Sequence, residues 1–104
     1  MTPETKVKNS ICNYLEELIK QGLPLYFERR NATGTTYRRG ISDIYILYDG
    51  KHYEVEFKAK NGELSADQLK WKSRCKLLKI EMIVVYSLEE FKAIFDTILS
   101  NKKK

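Results

Sequence analysis

The sequence predicts a single α/β domain in which a mixed β-sheet carries helices on its faces, in the order α-β-β-β-α-β-α. Three observations predict it. Apolar residues recur at helical spacing near both ends of the chain; Asp49-Gly50 joins two runs rich in β-branched and aromatic residues; and a helical stretch separates the last two strands, as parallel pairing requires. A chain of 104 residues supports one core and not two, so the domain is expected over residues 1–101, with residues 102–104 as a basic tail.

Thr2 can cap a first helix with Pro3 at its first position, and Val7, Ile11, Tyr14, Leu15, Leu18 and Ile19 form its apolar face until Gly22 and Pro24 end it. Residues 25–30 alternate as a short strand, and the polar segment 31–39, rich in Thr and Arg, reads as a mobile loop. Residues 41–48 and 52–60 form the hairpin. In its second strand Tyr53, Val55, Phe57 and Ala59 face the core, whereas His52, Glu54, Glu56, Lys58 and Lys60 share a polar face. Asn61-Gly62 breaks that strand, and Ser65 starts a helix to about residue 78 with Leu69, Cys75 and Leu78 among its buried positions. Residues 80–86 are a buried strand. Ser87 caps a last helix, with Glu90 at capping-box spacing and Phe91, Ile94, Phe95, Ile98 and Leu99 on its apolar face.

Composition excludes several classes. No apolar stretch approaches the roughly 20 residues that span a bilayer, and none near the N-terminus resembles a signal core, which predicts a cytoplasmic protein without a membrane partner. Two cysteines without CxxC spacing and one histidine are too few soft ligands for zinc. A net charge of +5 suits a polyanionic partner.

The chemistry-bearing constellation lies in the hairpin. Pairing brings Asp43, at the start of one strand, towards Glu56 and Lys58 on the polar face of the next. Phosphodiester hydrolysis needs a hard divalent cation and an oriented water, and two carboxylates plus a main-chain carbonyl offer the oxygen ligands that Mg²⁺ prefers. Asp43 and Glu56 are therefore the expected ligands. The Phe57 side chain turns inward and leaves its carbonyl as a third ligand, while Lys58 positions the attacking water or the phosphate.

The runs Gly40-Ile41-Ser42-Asp43-Ile44, Glu54-Val55-Glu56-Phe57-Lys58 and 62–68, Gly-Glu-Leu-Ser-Ala-Asp-Gln, resemble the VRR-NUC (viral replication and repair nuclease) branch of the PD-(D/E)XK superfamily. The likeness covers most of the chain from Glu4 to the last strand. It implies a restriction-endonuclease-like core and a metal-dependent endonuclease of viral or phage DNA replication and repair, with Asp43, Glu56, Lys58 and Gln68 on the catalytic positions. It also implies Mg²⁺, with Mn²⁺ as a substitute, and a homodimer acting on Holliday or other branched junctions. Glu4 falls where the family carries a helix-one glutamate, a further candidate ligand. Ser42 departs from the family's proline before the first acid.

Blander readings stand beside these. An E-x-K in a strand is common on solvated faces, and Glu4 could simply offset the dipole of its helix. His52 reads as a surface residue, Glu54 as a solvated partner of a lysine, and Trp71 and Tyr14 as core or interface aromatics. Arg29, Arg30, Arg38 and Arg39 flank the loop as candidate DNA phosphate contacts, against a solvated loop as the alternative. Rival functions are a catalytically silent DNA-binding module, and a restriction-like or RNA-directed nuclease using the same site.

Overall fold

A computed structural model describes residues 2–30 and 40–102. The expected order is present: α1 (Pro3–Lys20), β1 (Leu25–Arg29), β2 (Ile44–Tyr48), β3 (Lys51–Phe57), α2 (Ala66–Leu77), β4 (Glu81–Val85) and α3 (Leu88–Lys102). The sheet runs β1-β2-β3-β4, with the first two pairings antiparallel and β3–β4 parallel through the α2 crossover. Asp49 and Gly50 both take positive φ, 55° and 74°, as a two-residue hairpin turn matched to strand twist demands. Their register sets Ile44 opposite Val55 and aligns the starts of the two chemistry-bearing segments.

One sheet face carries Ile44, Ile46, Tyr48, Tyr53, Val55, Phe57, Ile83 and Val85, which form a single buried cluster with Ile11, Cys12 and Leu15 of α1 and Phe91 and Phe95 of α3. α2 covers part of the opposite face through Gln68, Trp71 and Cys75. Gln68 bonds Glu56, Trp71 bonds Ser42, and Cys75 is buried outside the main cluster. Thr2 and Ser65 cap their helices as the sequence suggests: Thr2 accepts from the Thr5 N–H, and Ser65 accepts from the Gln68 N–H within a reciprocal capping box that the structure adds. Ser87 accepts from the Glu90 N–H, but the Glu90 carboxylate reaches back to the Tyr86 N–H, one residue before Ser87. Among the described residues no helix is long and apolar enough to cross a membrane.

Three expectations are corrected. First, β2 begins at Ile44 and β3 ends at Phe57, so Asp43 and Lys58 lie just beyond the paired strands. The Asp43 carboxylate takes the Phe57 N–H that a longer β2 would have bonded, and the chain after Lys58 turns back through a Gly62 N–H to Ala59 carbonyl bond. Secondly, the alternate face of β3 is not solvated. Glu54 and Glu56 are 2% and 3% exposed, because α2 and Arg30 close over them. Thirdly, Leu69 and Leu78 of the α2 region are exposed. The packed row of α2 is Gln68, Trp71 and Cys75, which begins with a polar residue, so apolarity alone selects the wrong row.

Candidate active site

The site forms where the ends of β2 and β3 diverge. Asp43 Oδ2 accepts the Phe57 N–H at 2.9 Å, which fixes the carboxylate in front of β3. In an extended strand one residue's N–H and C=O point to the same side, so the Phe57 carbonyl faces the Asp43 side as well, while the Lys58 N–H turns the other way to the Val85 carbonyl at 2.9 Å. The Phe57 side chain is buried in the core. Glu56 enters from β3 on the face under α2.

Gln68 Nε2 donates to Glu56 Oε2 at 3.2 Å, whereas Glu56 Oε1 is buried with no hydrogen-bond partner. Burial, next the charge of Asp43, and then a hydrogen bond to Asp43 open to the protonated form push the Glu56 carboxyl from its ordinary 4.5 up to about 9; Lys58 opposes this and Glu4 adds to it. An orphaned carboxylate oxygen beside a second carboxylate is costly in a folded interior unless a ligand satisfies it. Among the described residues no three His, Cys, Asp or Glu side chains gather into a metal cage. The donors that do meet here, the Asp43 and Glu56 carboxylates beside the Phe57 carbonyl, are all oxygen, the ligand type that hard divalent cations take.

Lys58 is mostly buried and its Nζ lies 4.0 Å from Glu4 Oε1 of α1. Glu4 thus pairs with the lysine, and its charge also reaches Glu56. Gln68 orients Glu56 and closes the cap of α2. Lys8, whose Nζ is 3.9 Å from Asp43 Oδ1, is a site residue that sequence reasoning misses; only its spacing of four from Glu4 signals it.

Arg29 and Arg30 part ways. Arg29 donates to Asn9 Oδ1 at 2.9 Å from an exposed position. Arg30 grips both oxygens of buried Glu54, donates to the Ser42 carbonyl at 3.2 Å and lies over the Tyr45 ring at 4.9 Å. His52, only half-exposed, bonds Glu54 and stacks on Tyr45. Burial works to raise the Glu54 carboxyl, but the hydrogen bonds from Arg30 and His52 outweigh it and hold it below its ordinary value. Arg30 therefore stands already bonded inside the fold, while Arg38 and Arg39 lie outside the described residues.

Ser42, which stands where the resembled family has proline, is buried and its Oγ accepts the Trp71 indole N–H at 2.8 Å. Gly40 makes a closer approach: its φ is 82°, and a Cβ there would lie 2.5 Å from the Asp67 carbonyl carbon and oxygen. Together they dock the segment that carries Asp43 against the first turns of α2.

No family model matches the sequence, and no curated protein matches it. A solved structure described as a VRR_NUC domain aligns over 92% of this chain and 97% of its own, with a TM-score of 0.70 and 21% sequence identity. The chain has the fold of a VRR_NUC domain. The strand and helix order predicted from sequence is the order of that fold, and the Asp43, Glu56 and Lys58 cluster lies at the divergent strand ends within it.

Proposed function

We propose that this chain is a Mg²⁺-dependent endodeoxyribonuclease that cuts branched DNA as a homodimer. The observation that carries the reading is the Asp43–Glu56 pair with its unbonded buried oxygen, beside Lys58 at the end of β3. Such a pair weakens a fold on its own, since burial and like charge both oppose ionisation, and a divalent cation relieves both. The VRR_NUC fold supports a nuclease-family reading.

Asp43, Glu56 and the Phe57 carbonyl would hold the cation, with Mn²⁺ accepted in its place. Bound there, it supplies charge neutralisation at the phosphate and acidifies a water. The chain's own groups do the rest. The Phe57 N–H fixes one oxygen of Asp43, and Gln68 fixes one oxygen of Glu56, leaving the others for the ligand. Lys58 orients the water or the scissile phosphate, and Glu4 steadies that ammonium. Arg29, with Arg38 and Arg39, supplies backbone phosphate contacts. A two-fold dimer presents the same site twice, as two opposed incisions of a junction require.

The test offers a labelled four-way junction and a linear duplex of the same sequence, with Mg²⁺, Mn²⁺, Ca²⁺ or EDTA. The reading expects cleavage with Mg²⁺ and Mn²⁺, none with Ca²⁺ or EDTA, and a preference for the junction. Binding without cleavage under every condition would favour the silent binding module. Equal cutting of duplex or RNA would leave the site and remove the substrate.

A further inference from the structure

Helix α1 brings two charged side chains to the site from outside the sheet. Glu4 and Lys8 are one turn apart and so face the same way. Glu4 Oε1 lies 4.0 Å from Lys58 Nζ, and Lys8 Nζ lies 3.9 Å from Asp43 Oδ1. The helix thus offers an acid to the sheet's base and a base to the sheet's acid. Both contacts exceed hydrogen-bond length, so no hydrogen bond locks the Lys8 ammonium to Asp43, although its side chain is only 19% exposed. Asp43 itself is held in place, because the Phe57 N–H fixes its other oxygen.

Resting on the metal-dependent reading above, we infer that Lys8 is a second phosphate-binding lysine of this site, held on Asp43 until a divalent cation takes that carboxylate and then free to bind a substrate phosphate. The electrostatics require a change of partner. A divalent charge on Asp43 removes the attraction that holds Lys8 and repels its ammonium over the same few ångströms. The incoming group that offers negative charge at that spot is a DNA phosphate. Lys58, facing Glu4, and Lys8, facing Asp43, would then flank the phosphate from the sheet and the helix. Lys8 touches the substrate in this account, and its contribution appears only when cation and DNA are both present.

That conditional dependence is what the experiment reads. Equilibrium affinity for a labelled four-way junction is measured in Ca²⁺, which the reading above expects to bind without supporting cleavage, and again in EDTA, for the wild type, Lys8→Met, Lys8→Arg and Asp43→Asn. Ca²⁺ affinity without DNA is measured by calorimetry on the same proteins. Lys8→Met should lose about tenfold in junction affinity in Ca²⁺ and less than about twofold in EDTA, Lys8→Arg should stay near wild type, and Ca²⁺ affinity without DNA should be kept or improved in Lys8→Met. Equal losses in Ca²⁺ and EDTA, or none in Ca²⁺, would overturn the inference and leave the cation site standing, since Lys8 would then be a general surface charge or a mere screen for Asp43. Wild type and Asp43→Asn with the same negligible Ca²⁺ affinity would overturn the cation reading itself, and the inference with it.

Discussion

Glu56 combines near-complete burial, one unbonded oxygen and a carboxylate neighbour, and its titration follows. Its folded-state carboxyl is raised from 4.5 to about 9, so folding takes up a proton. Its stability contribution is intact below pH 4.5 and is lost as pH climbs towards 9. In EDTA, thermal melts should show Glu56→Gln gaining on the wild type as pH rises across that window; a constant gap between the two proteins would contradict it. A second prediction separates the adjacent arginines. Arg30→Ala leaves buried Glu54 with only His52 and should cost about 3 kcal/mol, read as a fall in Tm, whereas Arg30→Met combined with Glu54→Leu should recover much of it. Arg29→Ala should leave Tm nearly unchanged and flatten the salt dependence of DNA binding. Calorimetry that found Arg30→Ala as stable as Arg29→Ala would remove the structural role. The position of Glu56 is legible from spacing because strand alternation and the hairpin register fix it, whereas Asp43 and Lys58 lie just beyond the paired residues. The partners of Gln68, Arg30 and Lys8 are not legible, since each reaches a residue on another element, and nothing local in the sequence specifies such contacts.

The elements that hold the site are joined by a few non-local contacts, and Gly40 is the tightest. Its positive φ and the approach to Asp67 exclude a side chain, so Gly40→Ala must push the Asp43 segment away from α2. We expect Gly40→Ala to cost about 1–3 kcal/mol and to weaken divalent-cation binding although every ligand is retained. Unchanged calorimetric affinity for the cation would show that this docking does not set the position of Asp43. The elements themselves were legible where one periodicity dominated, as in α1, α3 and the hairpin. Both strand ends at the site were read too long, because Asp43 and Lys58 continue the strand pattern in sequence while their side chains leave it in space. The packed row of α2 is not legible in the sequence, because Gln68 and Trp71 make polar bonds to the sheet and burial there does not track apolarity.

At the scale of the whole molecule, α1 and α3 seal one face of the sheet around a continuous core, while α2 leaves Leu69, Leu77 and Leu78 exposed. The proposed homodimer needs apolar surface of that kind. Light scattering at micromolar concentration should give twice the mass of one chain; a monomer that cuts linear duplex as readily as a junction would remove both the dimer and the branched substrate and leave the metal-dependent chemistry intact. That chemistry is tested most directly by single-turnover cleavage of labelled junction DNA at saturating protein, titrated with Mg²⁺, for the wild type, Asp43→Asn and Glu56→Gln. The account predicts no cleavage in EDTA, a rate in the wild type that rises with Mg²⁺ to a plateau, and rates at least about 10²-fold lower in both variants, with DNA affinity kept or improved. Cleavage that persists in EDTA, or near wild-type rates in either folded variant, would contradict it.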